Sequence, residues 1–201
     1  MDPRQRRKRR RRAGAVSAFM VFALGLAFFF ESQATTTVIF VRHADAPPVV
    51  DENVGLSPAG ALRAEELARV LGDVDVVQGV DAIFSSPLRV NQETVAPLAR
   101  YLNLPVQEFD PQNNRGLRKR ILRKYKGKVV LVVAEPELIP TVIGRLQGSK
   151  KIPPLAGEYD NLYIVSIPWY GKVKTLRLHY GARPEVLNGL APSSPSAVSG
   201  G

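Results

Sequence analysis

Arg42 and His43 stand next to each other directly after an apolar stretch, and both residue types serve phosphate chemistry. An arginine can hold a phosphate group through two N–H donors. A histidine beside it can attack phosphorus through a ring nitrogen. The pair therefore indicates a candidate phosphoryl-transfer site, although a strand-end histidine that only hydrogen-bonds to a loop would leave the same signature.

The apolar stretch at 37–41 predicts a buried strand and explains where this pair would lie. Five β-branched or aromatic residues in a row are typical of a parallel strand that is covered on both faces. In open α/β sheets, ligands bind in the crevice beyond the carboxyl ends of the strands. A second buried strand is predicted at 129–133, beside the first, and it is followed by Ala134 and Glu135.

Two Ser-Pro pairs predict the starts of two helices. The pair at 57–58 would supply an N-cap and a first helical position for a packing helix that ends near residue 72. The pair at 86–87 repeats the pattern and predicts a helix to about residue 102. The start of such a helix presents unpaired N–H groups that favour an anion. Arg89, in the first turn, would then share a crevice with His43.

These blocks, in this order, resemble the histidine phosphatase superfamily, which has the phosphoglycerate mutase-like fold. The blocks are the strand with its Arg-His pair, Leu-Ser-Pro-Ala-Gly at 56–60 and Phe-Ser-Ser-Pro-Leu-Arg at 84–89. The likeness runs over about 37–180, and 138–148 and 158–163 look most like small single-domain members without a large cap. The resemblance implies a three-layer α/β/α fold with a mostly parallel central sheet.

The resemblance makes His43 the nucleophile and Arg42 a phosphate ligand, but it fits Arg89 less well. In the family, an arginine stands four residues before a threonine, and counting back from Thr94 leads to Val90. A shift of one residue turns a side chain by about 100° around a helix. Arg89 is therefore either a second phosphate ligand or a solvated surface arginine.

Glu135 is the largest departure from the family pattern. The second buried strand of the family usually ends in a histidine that helps to hold the phosphoryl group, and here that position is Glu135. An ionised carboxylate repels a phosphate dianion. We expect Glu135 to be protonated, in which case it could deliver a proton to the leaving oxygen, or to be paired with Arg42 or Arg89. His179, the only other histidine, is a weaker candidate for the site.

The composition argues against a nucleic-acid partner despite the net charge of +10. The arginine-rich segment 1–12 holds eight of the 28 basic residues and one of the 18 acidic ones, so the remaining 20 and 17 leave only +3. A further basic helix is predicted at 116–125, where we expect a solvated face; contact with anionic lipid or an acidic partner is the alternative. With no cysteine, disulfides and thiolate metal sites are excluded.

The uncharged stretch 13–30 predicts a transmembrane helix, because eighteen helical residues reach about 27 Å. The basic segment 1–12 should stay in the cytoplasm, which places the rest on the extracytoplasmic side. A cleaved signal peptide is the alternative, since 32–34 is Ser-Gln-Ala. The predicted organisation is completed by a histidine phosphatase-like domain at 35–182, closed by a β-hairpin, and a disordered tail at 191–201.

The sequence therefore predicts a membrane-anchored extracytoplasmic phosphatase that hydrolyses a phosphomonoester or phosphohistidine through a phosphohistidine intermediate on His43. Arg42, Arg89 and Glu135 complete the predicted site, with reduced activity because of the two departures and with no metal or cofactor. The expected partners are a phosphorylated small molecule or phosphoprotein and the membrane; the oligomeric state is left open. The alternatives are a degenerate, non-catalytic binding module and a purely structural domain.

Overall fold

A computed structural model describes residues 3–31, 35–48, 53–73, 79–147 and 158–181. These residues form five helices and six strands. In chain order they are α1 (Pro3–Glu31), β1 (Thr36–Arg42), α2 (Pro58–Gly72), β2 (Ala82–Ser85), α3 (Arg89–Leu102), β3 (Val106–Glu108), α4 (Asn114–Lys124), β4 (Val129–Ala134), α5 (Leu138–Gln147), β5 (Asn161–Ile167) and β6 (Lys174–His179).

The six strands form one sheet in the order β3-β2-β4-β1-β5-β6. Strands β1 to β4 run parallel to one another, whereas β5 and β6 add an antiparallel hairpin at one edge. β1 lies directly beside β4, and Arg42 is opposite Ala134 in the register. His43 and Glu135 therefore leave the sheet from adjacent strands at the same edge.

Helices cover both faces of the sheet because the strand side chains alternate between two apolar cores. In β1, Val38 and Phe40 pack into the core beneath α4 and α5. Ile39 and Val41 point the other way, into the core beneath α2 and α3. Such two-sided burial accounts for the uninterrupted apolar run at 37–41. The predicted three-layer α/β/α fold and the mostly parallel sheet are confirmed.

The two Ser-Pro pairs have different outcomes. Ser57 is the N-cap of α2, as predicted, and its hydroxyl accepts a hydrogen bond from the Gly60 backbone N–H. The prediction that Ser86 caps α3 is wrong: the N-cap is Leu88, which makes no side-chain cap hydrogen bond, and α3 begins at Arg89. The buried Ser86 hydroxyl is directed to a carboxylate instead.

The N-terminal helix α1 includes an 18-residue window, Arg12–Phe29, with a mean hydropathy of 1.8 and no buried share. By length and composition it could cross a membrane, and a signal sequence would have the same properties. The Ser-Gln-Ala segment at 32–34 and the tail at 191–201 lie outside the described residues. Retention of the anchor and the side of the membrane therefore stay predictions.

Candidate active site

His43 directly follows the carboxyl end of β1, and one of its ring nitrogens is hydrogen-bonded to the backbone. Its Nδ1 lies 2.8 Å from the carbonyl oxygen of Ala44. Because a carbonyl only accepts hydrogen bonds, Nδ1 must be the protonated nitrogen in this contact. The neutral ring then carries its lone pair on Nε2. This is the tautomer that a nucleophilic histidine needs.

The surroundings of His43 favour its neutral form. Burial lowers the pKa of His43 below its ordinary value of 6.5, and the charge of Arg42 lowers it further. The hydrogen bond to Ala44 and the carboxylates of Glu135 and Glu137 act in the opposite direction without reversing the shift. At neutral pH the ring is therefore unprotonated and able to attack phosphorus.

Arg42 is the buried cation of the site, with only 7 % of its surface exposed. Its Nη1 donates to the carbonyl of Glu158 at 3.3 Å, and its guanidinium carbon lies 3.9 Å above the centroid of the Tyr159 ring. The same ring meets His43 edge-on at 6.0 Å. Tyr159 thus bridges the two residues and holds the guanidinium plane. Desolvation lowers the pKa of Arg42, but an arginine stays charged in proteins.

The residues after His43 are fixed to both neighbouring helices. The backbone N–H of Ala44 donates to the hydroxyl of Thr94 at 2.9 Å, and that hydroxyl donates to the carbonyl of Val90 at 2.7 Å. The carbonyl of Asp45 accepts from Ser57. A Cβ added to Gly60 would lie 2.0 Å from that carbonyl oxygen, so only glycine permits this approach.

Glu135 is held by neutral donors from α3 and the segment before it. The Ser86 hydroxyl donates to Oε1 at 2.7 Å, and the Asn91 amide donates to Ser86 at 2.6 Å and lies 3.5 Å from the same Oε1. Within the described part of the chain, Oε2 is buried and has no hydrogen-bond partner. The charge of Glu135 acts to raise the pKa of His43. The ends of β1 and β4 are therefore close enough to form one candidate site.

Arg89 lies at the rim of this region. Its Nε is 2.7 Å from Oε1 of Glu93, its Nη1 is 3.4 Å from the carbonyl of Asn53, and 54 % of its side chain is exposed. The inward position is taken by Val90, which is 6 % exposed. The one-residue shift noted in the sequence thus turns the guanidinium toward the loop after β1.

The other candidates have simple outcomes. His179 pairs with Asp160, with 3.1 Å between Nδ1 and Oδ2, and it lies on β6, two strands away from β1. Glu137 was not a predicted candidate; it is exposed, and its charge acts to raise the pKa of both Arg42 and His43. No group of three or more histidines, cysteines or carboxylates suited to a metal ion occurs in the described ranges.

Four residues that the structure brings to the site had no predicted role in it: Ser86, Asn91, Glu137 and Tyr159. Ser86 and Tyr159 stand inside stretches that carried the family resemblance, which was the available signal. The polar contacts of Ser86 reach across 49 positions of the chain. A sequence pattern that covers only neighbouring residues cannot reveal such a contact.

Comparisons with known proteins agree with this fold. The sequence profile of the histidine phosphatase superfamily (branch 1) matches residues 38–111. No curated protein matches the chain by sequence.

Solved structures match over most of their length. The protein histidine phosphatase SixA complexed with tungstate has 17 % identity and a TM-score of 0.59, covering 71 % of this chain and 96 % of that one. A mycobacterial glucosyl-3-phosphoglycerate phosphatase has 15 % identity and a TM-score of 0.57, covering 74 % of this chain and 100 % of that one. At such identities the likeness shows the fold.

The predicted resemblance is therefore confirmed: the chain has the fold of the histidine phosphatase superfamily, and residues 38–111 match that superfamily in sequence.

Proposed function

We propose that this protein is a membrane-anchored extracytoplasmic phosphatase that hydrolyses a phosphomonoester or phosphohistidine through a phosphohistidine intermediate on His43. The observation that carries the proposal is the state of the His43 ring. It is neutral, with Nδ1 bonded to Ala44 and Nε2 free of that bond, beside the buried cation Arg42. SixA and the mycobacterial phosphatase, whose fold this chain shares, act on the two substrate classes named here.

The first step transfers the phosphoryl group to the enzyme. The Nε2 lone pair forms the N–P bond while the bond from phosphorus to the leaving oxygen breaks. Arg42 neutralises charge on the equatorial oxygens, and the leaving oxygen takes up a proton. In the second step, water attacks phosphorus, the N–P bond breaks, and inorganic phosphate leaves with His43 restored.

Glu135 is the proposed proton donor for the leaving oxygen. It lies at the end of the strand beside His43, and Ser86 fixes the direction of its carboxyl group through Oε1. The proton that it delivers in the first step returns from the attacking water in the second.

The site has fewer cations than phosphoryl transfer favours, so we expect slow turnover. Arg42 is buried in the site, whereas Arg89 must exchange Glu93 for the phosphate before it can contribute as the second ligand. Loss of one stabilising contact of this kind typically lowers the rate by about 10²- to 10³-fold.

The test uses the full chain in a mild detergent with an aryl phosphate between pH 4 and 8. We expect turnover, and a phosphoryl adduct on the peptide that contains His43 after an alkaline quench, measured by mass spectrometry. His43→Ala should lose both. His179→Ala is the matched control, because it removes the other histidine, and it should keep both. Equal turnover of His43→Ala and the parent would overturn the nucleophile assignment.

A second candidate function is a degenerate binding module that holds a phosphate without turning it over. Glu135 at the second histidine position and Val90 at the inward position of α3 favour it. This alternative predicts binding of inorganic phosphate by calorimetry but no turnover in the parent, with turnover appearing in Glu135→His. Adduct formation in the parent excludes it.

A further inference from the structure

The chain enters the sheet from α1 at the amino end of β1. This end of the sheet, called the amino edge below, lies opposite the candidate site, which is at the carboxyl ends of the strands. Thr36, the first residue of β1, pairs with Ile167, the last residue of β5. Its hydroxyl accepts from the backbone N–H of Gly127, just before β4. The 168–173 turn that joins β5 to β6 therefore lies beside the start of β1, a full strand length of about 20 Å from His43.

A short connection keeps the amino edge close to the end of α1. Five residue steps separate Glu31, the end of α1, from Thr36, so they span at most about 18 Å. Near the end of α1, the ring of Phe29 meets the ring of Trp169 edge-to-face, with 6.1 Å between centroids. The 168–173 turn thus contacts the apolar helix itself.

The 168–173 turn exposes two large aromatic side chains at its tip. Trp169 is 51 % exposed and Tyr170 is 87 % exposed, and Gly171 makes the turn with a positive φ of 111°. Tryptophan and tyrosine are enriched where protein meets the headgroup level of a membrane, because their rings are apolar with a polar end. Trp169 and Tyr170 are exposed beside α1, which is long enough to span a membrane, so their position suits the headgroup level of a bilayer.

Basic residues surround the amino edge. Lys172 and Lys174 are exposed on the turn and at the start of β6, and Lys126 is exposed before β4. Two acidic residues nearby are engaged: Asp81 pairs with Lys128, and Asp73, at the end of α2, pairs with Arg69. Lysines close to an anionic bilayer are attracted to its surface.

We propose that the 168–173 turn docks on the anionic bilayer that α1 spans. Trp169 and Tyr170 enter the headgroup level, and Lys172, Lys174 and Lys126 lie against lipid phosphates. The docked domain then presents the carboxyl edge of its sheet, with His43, away from the membrane and toward water-soluble phosphorylated substrates. This inference rests on the part of the proposed function that makes α1 a retained membrane span.

Trp169 is the only tryptophan of the chain, so its fluorescence reports on the turn without a label. The full chain is placed in nanodiscs of phosphatidylcholine with phosphatidylglycerol that carry a spin label either near the headgroup or near the acyl end. We expect the shallow label to lower the emission by about half and the deep label to act less, as for an interfacial ring. Aqueous iodide should quench the Trp169 emission less in these anionic nanodiscs than in nanodiscs of phosphatidylcholine alone.

A charge-reversal pair tests the contribution of the lysines. K172E with K174E should weaken quenching by the shallow label in anionic nanodiscs. R115E with R118E makes the same change in charge at the other end of the domain, near the start of α4, and should leave quenching as in the parent. Equal behaviour of both pairs would overturn the electrostatic part of the proposal.

The remaining outcomes separate the proposal from its foundation. Nanodisc-bound protein whose Trp169 is quenched by neither label would overturn the docking while α1 still anchors the chain. Protein that does not co-purify with nanodiscs would show that α1 is not a membrane anchor, and the docking proposal would fail with it. Turnover of an aryl phosphate, measured in the same samples, reports on the phosphatase independently of both.

Discussion

The ends of β1 and β4 lie side by side in the same sheet, yet they supply opposite charges to one site. β1 ends in Arg42 and then His43, whereas β4 ends in Ala134 and then Glu135. The first end is tied to α3 through Thr94, and the second is tied to α3 and the segment before it through Asn91 and Ser86.

The difference teaches that a fold can keep its scaffold while the charge balance of its site changes. The hydrogen bond from Ala44 to Thr94 maintains the position of His43, and it does not involve the residue at position 135. At Glu135, a carboxylate occupies the position where the family resemblance implies a histidine, and the neighbouring donors accommodate it. Substitutions at each strand end can test whether the two ends act together.

The largest expected effect comes from making the two ends alike. Glu135→His removes a carboxylate from the site and adds a ring that can donate to a phosphoryl oxygen. We expect kcat/KM for an aryl phosphate to rise by about 10²-fold, the usual size of one well-placed donor. Glu137→Gln is the control at an exposed carboxylate and should change the rate less. A fall in rate for Glu135→His would indicate that the proton supplied by Glu135 matters more than its charge.

The next prediction weakens the β1 end. Thr94→Val leaves the buried N–H of Ala44 without its acceptor and should lower the free energy of unfolding by about 1–3 kcal/mol. Because this bond fixes the residue after His43, we also expect about tenfold lower kcat/KM. Denaturant unfolding and steady-state kinetics measure the two effects. Thr94→Ser keeps the hydroxyl and should restore most of both.

A smaller effect is expected when the carboxyl group of the β4 end loses its orientation. Ser86→Ala removes the hydroxyl that donates to Glu135, and about fivefold slower turnover should result if the carboxyl group delivers a proton. Ser85→Ala is the matched control, since it removes a neighbouring buried hydroxyl that donates to a backbone carbonyl instead. Unchanged turnover in Ser86→Ala would mean that Glu135 is only a source of repulsion.

The smallest effect concerns pH and His43 alone. Burial lowers the pKa of His43 in the folded protein, so the unfolded chain binds the proton more readily. The resulting stability is fully present above pH 6.5 and is lost as the pH falls below that value. The parent should therefore lose stability toward acidic pH more steeply than His43→Gln, as measured by urea unfolding from pH 8 to 4. Parallel curves would show that the ring is not shielded from water.

The sequence was sufficient to predict elements whose signal is local. The uninterrupted apolar runs that became β1 and β4 reflect two-sided burial, and the cap of α2 comes from a single serine beside a proline. His43 could be proposed because a reactive residue type stands directly after a buried strand. These inferences need only neighbours in the chain, where the backbone geometry is nearly fixed.

The features that only the tertiary structure decided depend on residues far apart in the chain. Arg42 stacks on the Tyr159 ring because β5 returns beside β1, and Ser86 reaches Glu135 because β2 pairs with β4. A one-residue shift at the start of α3 turned Arg89 outward, where Glu93 binds it. Such contacts depend on the order of the strands and the rotation of the helices. The packing energy of the whole core decides both, and a short stretch of sequence cannot reveal it.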